Sequence, residues 1–215
     1  MLLICAAVIE ELQPLIVSGD FKQEGDNFFR HHDRSVMISA LGVGMVDFAS
    51  GLQAALCDFE INQALLTGTC GVYPEALVEF PLGTLVAPDK VSLGDLSEVE
   101  KSGYFPAPIT KSCTIDKDFF GDQISCSGGH CLTLATITSE DRVAIRIAGH
   151  YQAHFEQMEA YTFARICQLN RVSAAALFAV VNQVGSEGHA QWRANAAQGA
   201  IAAADLIRER CDFAG

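Results

Sequence analysis

Positively charged side chains are scarce in this sequence. Its 215 residues include 14 lysines and arginines against 26 aspartates and glutamates, giving a formal net charge of −12 at pH 7. That charge disfavours phosphate backbones and anionic lipid headgroups, so we expect no nucleic acid and no membrane as a partner. Half of the residues are hydrophobic and 19% are charged. Length and composition together predict one globular α/β domain over residues 1–215.

Long hydrophobic runs and paired cysteines are also missing. The N-terminal apolar run, residues 2–9, has no basic flank and stops at Glu10 and Glu11. It is too short for a signal-peptide core with its cleavage site or for a membrane span. The eight cysteines are scattered without a CxxC pair, and several lie in apolar, strand-like runs. This pattern is typical of reduced, buried thiols and predicts a cytoplasmic protein.

Motifs for nucleotide phosphates and for serine hydrolysis are absent. No Walker motif occurs, and after Gly42 and Gly44 the chain has Asp47 where GxGxxG requires a third glycine. Ser50 does not stand in a G-x-S-x-G sequence. We therefore interpret the glycine pair as a tight connection between a strand and a helix.

Metal-binding patterns are incomplete. Residues 126–131 (CSGGHC) could offer ligands, but no second ligand pair with zinc spacing follows. His150 and His154 have the spacing of a zinc-binding helix face, yet Tyr151 occupies the position of the glutamate in HExxH. A solvated helix face is the better interpretation, and we expect neither a metal nor an organic cofactor.

Apolar runs that alternate with helical patterns predict the fold. Strands are expected at residues 2–9, 35–41, 64–70, 131–137 and 174–181, and helices at residues 45–57, 158–169 and 188–210. Residues 20–34 are polar and read as a hairpin or loop. The expected architecture is a three-layer α/β sandwich, in which a central mixed, twisted sheet is flanked by helices.

Three polar residues stand at the ends of these apolar elements. Glu11 follows the first strand, Glu159 lies at the start of the helix at 158–169, and Asn182 ends the last strand. A carboxylate in an apolar run is costly unless it caps a helix or has a chemical task. Cleavage of an N-glycosidic bond requires such a set: a base for water, a carboxylate for the sugar, and a polar group at the departing base. The residues permit this chemistry without compelling it.

The segment at residues 156–160 (EQMEA) resembles the (V/E)-x-M-E-(A/G) motif of the purine nucleosidases in the nucleoside phosphorylase/nucleosidase superfamily. The resemblance implies that Met158 underlies the ribose and that Glu159 binds its hydroxyls. Residues 9–12 (IEEL) are similar to the family segment that carries the water-activating glutamate, which here is Glu11.

Two glycine turns extend the resemblance over nearly the whole chain. Residues 41–44 (LGVG) and 67–71 (TGTCG) resemble the family's S-G-(I/V)-G and T-G-(S/T)-A-G turns. The second implies that Thr69 and Gly71 shape the nucleoside pocket. The family also implies a homodimer, in which the partner helps to complete that pocket.

Two further segments are similar to one branch of the family, the futalosine hydrolases of menaquinone biosynthesis. Residues 86–96 resemble their V-x-A-D…D-L-G stretch, and residues 182–185 with Trp192 resemble their S-N-x-V-G…W pattern. Methylthioadenosine nucleosidases have an aspartate at the position of Asn182. A 6-oxopurine presents acceptors at O6 and N7, which suit an amide donor, so Asn182 favours hypoxanthine over adenine as the leaving base.

The sequence departs from the family pattern at several positions. Gln157 replaces the usual acid or asparagine, Val181 replaces a common serine, and Cys70 replaces a small alanine. Residues 138–142 cover the segment that usually supplies an aromatic ring for the purine, and none is present. Trp192 could bind an aromatic acid, but we favour packing of the last helix.

Other functions remain open at this point. The chain could be a nucleosidase with adenine specificity, which includes methylthioadenosine and aminodeoxyfutalosine as substrates. A phosphorylase would need basic residues in the glycine turns, and residues 42–44 and 68–71 offer none. A catalytically silent purine-nucleoside binder would not need Glu11. We therefore expect hydrolysis of the N-glycosidic bond of futalosine, with Glu11 and Asn182 as the catalytic residues.

Overall fold

The computed structural model describes residues 1–18, 21–25, 27–32, 34–124 and 126–212. These residues form twelve strands: β1 (Leu2–Ala6), β2 (Phe21–Gln23), β3 (Phe28–His31), β4 (Val36–Ala40), β5 (Gln63–Val72), β6 (Leu85–Ala87), β7 (Lys90–Leu93), β8 (Ser112–Thr114), β9 (Cys126–Ser127), β10 (His130–Thr133), β11 (Phe155–Glu156) and β12 (Ser173–Gln183).

Six α-helices accompany the strands in the described part of the chain. They are α1 (Ile9–Ser18), α2 (Gly44–Asp58), α3 (Leu96–Val99), α4 (Asp141–Tyr151), α5 (Ala160–Asn170) and α6 (Gly188–Cys211). Short 3-10 helices cover Pro74–Ala76 and Lys117–Gln123. In the described ranges, no helix combines the length and the apolar character that a bilayer span requires.

The strands form one mixed sheet. Its order is β2-β3-β4-β1-β5-β11-β10-β7-β8, while β12 pairs with β5 and β6, and β6 pairs with β9. Strand β1 is parallel to β4 and β5, and β5 is parallel to β12. Strands β3 and β11 are antiparallel to their neighbours β4 and β5. The carboxyl ends of β1, β4, β5 and β12 therefore meet at one edge, where α/β sheets bind ligands.

Helices cover both faces of the sheet. One core cluster joins α2 and α5 to the strands and includes Leu3, Phe48, Leu66 and Phe163. A second joins α1 and α6 to the strands and includes Ile4, Leu12, Leu65 and Ile207. Consecutive strand residues such as Leu3 and Ile4 belong to opposite clusters because side chains alternate across a strand. The predicted three-layer sandwich is confirmed.

The ends of several elements differ from the prediction. The apolar run at residues 2–9 is not one strand, because β1 ends at Ala6 and Ile9 begins α1. A run without polar interruptions does not reveal where a strand gives way to a helix. For the same reason the strand expected at 131–137 ends at Thr133.

The polar segment at residues 20–34 contains the antiparallel pair β2 and β3, which agrees with the expected hairpin. Three aspartates of that segment, Asp20, Asp26 and Asp33, lie outside the described residues.

Candidate functional site: two carboxylates and an amide at one sheet edge

Glu11 lies in the first turn of α1, directly above strand β5. A Cβ on Gly68 would come within 2.7 Å of Glu11 Oε1 and 2.9 Å of its Cδ, and Gly68 has a φ of +147°. Only glycine provides both this close approach and this backbone angle without strain. The glycine in the 67–71 turn therefore allows the carboxylate to rest on the strand.

Thr69 binds Glu11 through two donors. The backbone N–H and the hydroxyl of Thr69 both donate to Glu11 Oε1, at 2.9 and 3.1 Å. Burial raises the pKa of Glu11 to about 7, although the Thr69 hydrogen bonds act in the opposite direction and the charge of Glu159 adds to the rise. A carboxyl group with this pKa exchanges protons easily near neutral pH.

Glu159 is buried, with 3% of its surface exposed, and precedes α5. Its Oε1 accepts the backbone N–H of Gly44 at 2.6 Å. Gly44 is the first residue of α2, so the carboxylate sits at the positive end of that helix. The helix expected at 158–169 begins only at Ala160, and the Glu159 side chain does not cap it.

Gln157 takes the capping role at the start of α5. Its Oε1 accepts the backbone N–H groups of Glu159 and Ala160 at 2.7 and 2.6 Å. Its Nε2 donates to Glu159 Oε2. Burial raises the pKa of Glu159, and the bonds from Gly44 and Gln157 oppose that rise. The residue that departs from the family pattern thus holds the second oxygen of the carboxylate.

Asn182 stands near the carboxyl end of β12, beside a bulge. Val180 pairs with Cys70, whereas Asn182 pairs with Gly71, so one residue of β12 is left between the pairs. A Cβ on Gly71 would lie 2.9 Å from Asn182 Nδ2. The amide Nδ2 donates to the carbonyl oxygen of Gln183 at 3.1 Å. Gly71 therefore leaves the room that the amide occupies.

Strand β5 connects the acid and the amide. Thr69 holds Glu11 and Gly71 faces Asn182, and residues two apart on a strand point to the same side, about 7 Å from each other. Glu159 binds the N–H of Gly44, which follows the carboxyl end of β4, so the second acid lies at the same edge of the sheet. The two acids and the amide, far apart in sequence, thus meet at the shared edge of β1, β5 and β12.

Comparison with known proteins identifies the family. The sequence model of the phosphorylase superfamily matches residues 3–210. The chain belongs to the phosphorylase superfamily. It is also 29% identical to the futalosine hydrolase of Thermus thermophilus over an alignment of 174 residues, and the match covers 76% of each chain.

Solved structures share the fold of this phosphorylase-superfamily chain. The native futalosine hydrolase of Helicobacter pylori superposes with a TM-score of 0.85 at 16% identity, over 98% of this chain and 97% of that one. The methylthioadenosine/S-adenosylhomocysteine nucleosidase of Streptococcus pneumoniae, bound to a transition-state inhibitor, gives a TM-score of 0.85 at 18% identity, over 100% and 99%.

Met158 adjoins Glu159 in the sequence, and Trp192 contacts Thr69 in this phosphorylase-superfamily chain. Met158 is half-buried in the turn between β11 and α5, next to Glu159. Trp192 donates its indole N–H to Thr69 Oγ1 at 3.3 Å and stacks on His189, with ring centroids 6.0 Å apart. Trp192 keeps 43% of its surface exposed, so it packs the last helix only in part, and it also contacts β5 through Thr69.

Sequence reasoning missed a further buried carboxylate, Glu156. Glu156 Oε2 accepts the hydroxyls of Tyr73 and Thr138, both at 2.7 Å, and Oε1 accepts the backbone N–H of Thr138 at 2.9 Å. This network fixes the beginning of the 138–142 segment. The only sequence signal for Glu156 is its position in the segment at residues 156–160, because its hydrogen-bond donors come from distant parts of the chain.

Metal-binding clusters and surface grooves were the remaining candidates for a functional site. In the described residues, no group of three or more histidines, cysteines, aspartates or glutamates could hold a metal ion. The Cys126 side chain lies outside the described part of the structure. A surface groove lined mainly by Leu82, Leu85, Ile124 and Leu206 includes none of the site residues and no titratable group.

Proposed function

We propose that this protein is a purine nucleosidase that hydrolyses the N-glycosidic bond of futalosine to release hypoxanthine. The observation that carries the proposal is the position of Glu11, held by Thr69 over Gly68 with a pKa near neutrality. The likeness to the Thermus futalosine hydrolase supports the choice of substrate.

In the proposed reaction, water attacks the anomeric carbon while Glu11 accepts its proton. The bond between that carbon and N9 of the purine breaks, and its electron pair leaves with the base, which takes up a proton from solvent. Positive charge develops on the ribose ring as the bond lengthens, and the ionised Glu159 stabilises it while binding the sugar hydroxyls. Thr69, Gly71 and Met158 shape the pocket around the nucleoside.

Asn182 recognises the base in this proposal. One N–H of its amide donates to the Gln183 carbonyl oxygen, and the second remains for O6 or N7 of a 6-oxopurine. An ionised aspartate at the same position would present an oxygen to the Gln183 carbonyl and repel it. The backbone around residue 182 therefore supports an amide, which matches hypoxanthine better than adenine.

Hydrolysis is favoured over phosphorolysis by the composition of the two glycine turns. A phosphate co-substrate needs cationic donors, and residues 42–44 and 68–71 contain no lysine or arginine. The carboxylates of Glu11 and Glu159 would repel an inorganic phosphate brought close to the ribose. Water is uncharged and is not repelled by these carboxylates.

The decisive experiment measures free base release from futalosine in phosphate-free buffer. We expect hypoxanthine and dehypoxanthine futalosine in equal amounts, at a rate that added phosphate does not raise. A rate that depends on phosphate would indicate a phosphorylase, and a higher kcat/KM for methylthioadenosine would indicate an adenine nucleosidase. Binding of the nucleoside without base release would indicate a silent binder.

We further propose that the enzyme is a single-domain, cytoplasmic homodimer in menaquinone biosynthesis. Val46 and Val43, beside the Gly44 turn, are 81% and 53% exposed, which supports burial of this surface by a second subunit. Seven cysteines are free in the part of the chain that the structure describes, which supports a reducing compartment. Light scattering of the purified protein tests the dimer, and a monomer at micromolar concentration would contradict it.

A further inference from the structure

Trp192 occupies an unusual position for the chain's single tryptophan. It lies near the beginning of α6, keeps 43% of its surface exposed, and reaches across to β5. Its indole N–H donates to Thr69 Oγ1 at 3.3 Å, and the Thr69 hydroxyl lies 3.1 Å from Glu11 Oε1. Indole, hydroxyl and carboxylate therefore form a chain of three groups that ends at the proposed general base.

The donor and acceptor properties of the three groups fix the direction in which these hydrogen bonds are donated. An indole N–H is only a donor, whereas a threonine hydroxyl has one proton to give and lone pairs to accept. When Trp192 donates to the hydroxyl oxygen, the hydroxyl proton must point elsewhere, and Glu11 Oε1 is the acceptor within reach. Donation into the oxygen also polarises the hydroxyl, which strengthens its bond to a carboxylate.

We infer that Trp192 is a positioning residue for Glu11. Trp192 acts through Thr69: it keeps the Thr69 hydroxyl proton directed at the Glu11 carboxylate, which favours the ionised form of Glu11. The inference rests on the proposed role of Glu11 as the base for water. A base must be ionised before it can accept a proton, so Trp192 would extend activity to lower pH. Trp192 does not touch the reacting atoms in this scheme.

Other charged groups near the hydrogen bonds from Trp192 to Thr69 and Glu11 could also affect the ionisation of Glu11. The charge of Glu159 disfavours ionisation of Glu11 and so raises its pKa. On α1 itself, Glu10 is exposed to solvent. On α6, His189 stacks on the indole and Arg193 follows it in the sequence, where it is exposed. Among the charged and titratable groups that the structure describes near Trp192, His189 is the one in ring contact with it, so the test must include a variant without this imidazole.

The first arm of the test is the pH dependence of kcat/KM for futalosine in Trp192→Phe. Phenylalanine keeps an aromatic ring but removes the donor. We expect the rising limb of the profile to move up by about 0.5 pH unit, with about threefold lower activity on that limb and little change above it. Thr69→Val removes the hydroxyl that links the two residues, so adding Trp192→Phe to it should shift the limb no further.

The second arm uses tryptophan fluorescence and does not require turnover. In the free enzyme we expect the emission of Trp192 to change with a midpoint near pH 7, the value for Glu11. The change should disappear in Glu11→Gln and persist in His189→Gln, which removes the other titratable neighbour.

The outcomes separate this inference from the proposed function. If futalosine is hydrolysed but Trp192→Phe leaves the pH limb in place, the inference is wrong and the function stands. A fluorescence change that survives Glu11→Gln and vanishes in His189→Gln would also overturn it. If no nucleoside is hydrolysed, the function is wrong, and the fluorescence arm still decides whether Trp192 senses Glu11.

Discussion

The backbone N–H of Gly44 donates to Glu159 Oε1 at 2.6 Å, across 115 positions of the sequence. This bond joins the first turn of α2 to the turn that precedes α5, and the side chain of Gln157 holds the other carboxylate oxygen. A buried carboxylate is stable in this setting because a helix N-terminus and an amide donor replace its lost water. The position of the Glu159 carboxylate is thus fixed by protein groups alone.

Neutralising Glu159 should weaken catalysis without unfolding the protein. Glu159→Gln keeps an oxygen for the Gly44 N–H, but its NH2 group would meet the Gln157 Nε2 donor, and it removes the charge proposed to stabilise the ribose in the transition state. We expect kcat/KM for futalosine to fall roughly 10- to 100-fold, the usual value of a charged hydrogen bond. Steady-state kinetics measures the loss, with the exposed Glu10→Gln as the control variant. Equal losses in both variants would contradict the assignment.

Replacing Gln157 with glutamate should make stability depend on pH. The new carboxylate can still accept the N–H groups of residues 159 and 160, but its other oxygen would meet Glu159 Oε2. Two ionised carboxylates repel each other, and this repulsion is present at pH 8 and relieved when one proton is shared at acidic pH. We expect Gln157→Glu to lose about 1–2 kcal/mol of unfolding free energy at pH 8 and less at pH 5.

Urea unfolding at the two pH values checks this expectation. Gln13→Glu is the matched control because it adds the same charge at an exposed position of α1. A penalty for Gln157→Glu that is the same at pH 5 and pH 8 would mean that the new carboxylate does not meet Glu159.

Glu11 should destabilise the folded protein above neutral pH. Its folded pKa is about 7 against an ordinary value of 4.5, so the folded state holds the proton more tightly than the unfolded state. Stability therefore falls as pH rises from about 4.5 to 7 and stays low above that range. Glu11→Gln should remove this slope and unfold with a free energy of the order of 2 kcal/mol higher than the wild type at pH 8.

Denaturant unfolding of both proteins between pH 4 and pH 9 measures this difference. The same Glu11→Gln variant should lose about 1,000-fold in kcat, because its amide cannot accept a proton from water. A variant that is inactive but no more stable than the wild type at pH 8 would show that the carboxylate is better solvated than its environment implies.

The general arrangement of this fold follows from local sequence, whereas the contacts within the site do not. Residues 64–70 and 174–181 predict buried strands because a strand covered on both faces carries apolar side chains on both. Asn182 is found at a strand end by the same reading. The register between β5 and β12, with its bulge before Asn182, depends on long-range pairing that no local pattern encodes.

Polar partners are the part of the site that sequence reasoning misses. Gln157 departs from the family motif, and nothing in the sequence indicates that its amide binds Glu159. An aromatic residue in an alanine-rich helix usually packs against a neighbour, which favours packing for Trp192. Its contact with Thr69 spans 123 positions, and hydrogen bonds over such separations are visible only in three dimensions.

Tyr73 should stabilise the segment that begins at Thr138. Its hydroxyl donates to Glu156 Oε2 in a fully buried environment, and Thr138 supplies the remaining donors. Tyr73→Phe leaves that carboxylate oxygen with fewer donors, and we expect a loss of about 1–2 kcal/mol in unfolding free energy. Tyr104→Phe, at a residue 84% exposed, is the control and should be neutral. Equal stability of the two variants would argue against a structural role for the Glu156 network.

Substitution of Asn182 by aspartate should change the preference between bases. In the wild type, Asn182 Nδ2 donates to the Gln183 carbonyl oxygen, and its second N–H is available to a 6-oxopurine. An aspartate must be protonated to bond that carbonyl, and its proton is then unavailable to the purine. An ionised aspartate would instead accept a hydrogen bond from the 6-amino group of adenine. We expect the ratio of kcat/KM for futalosine to that for methylthioadenosine to fall roughly tenfold or more.

Asn195→Asp provides a matched control for this substitution. Asn195 Nδ2 also donates to a backbone carbonyl of β12, that of Val181, at 2.8 Å. The control therefore loses the same kind of hydrogen bond and gains the same charge, but it leaves the Asn182 amide in place. Because only residue 182 is proposed to face the base, Asn195→Asp should lower both kcat/KM values by a similar factor. A change of preference in both variants would indicate a general electrostatic effect rather than recognition of the purine by Asn182.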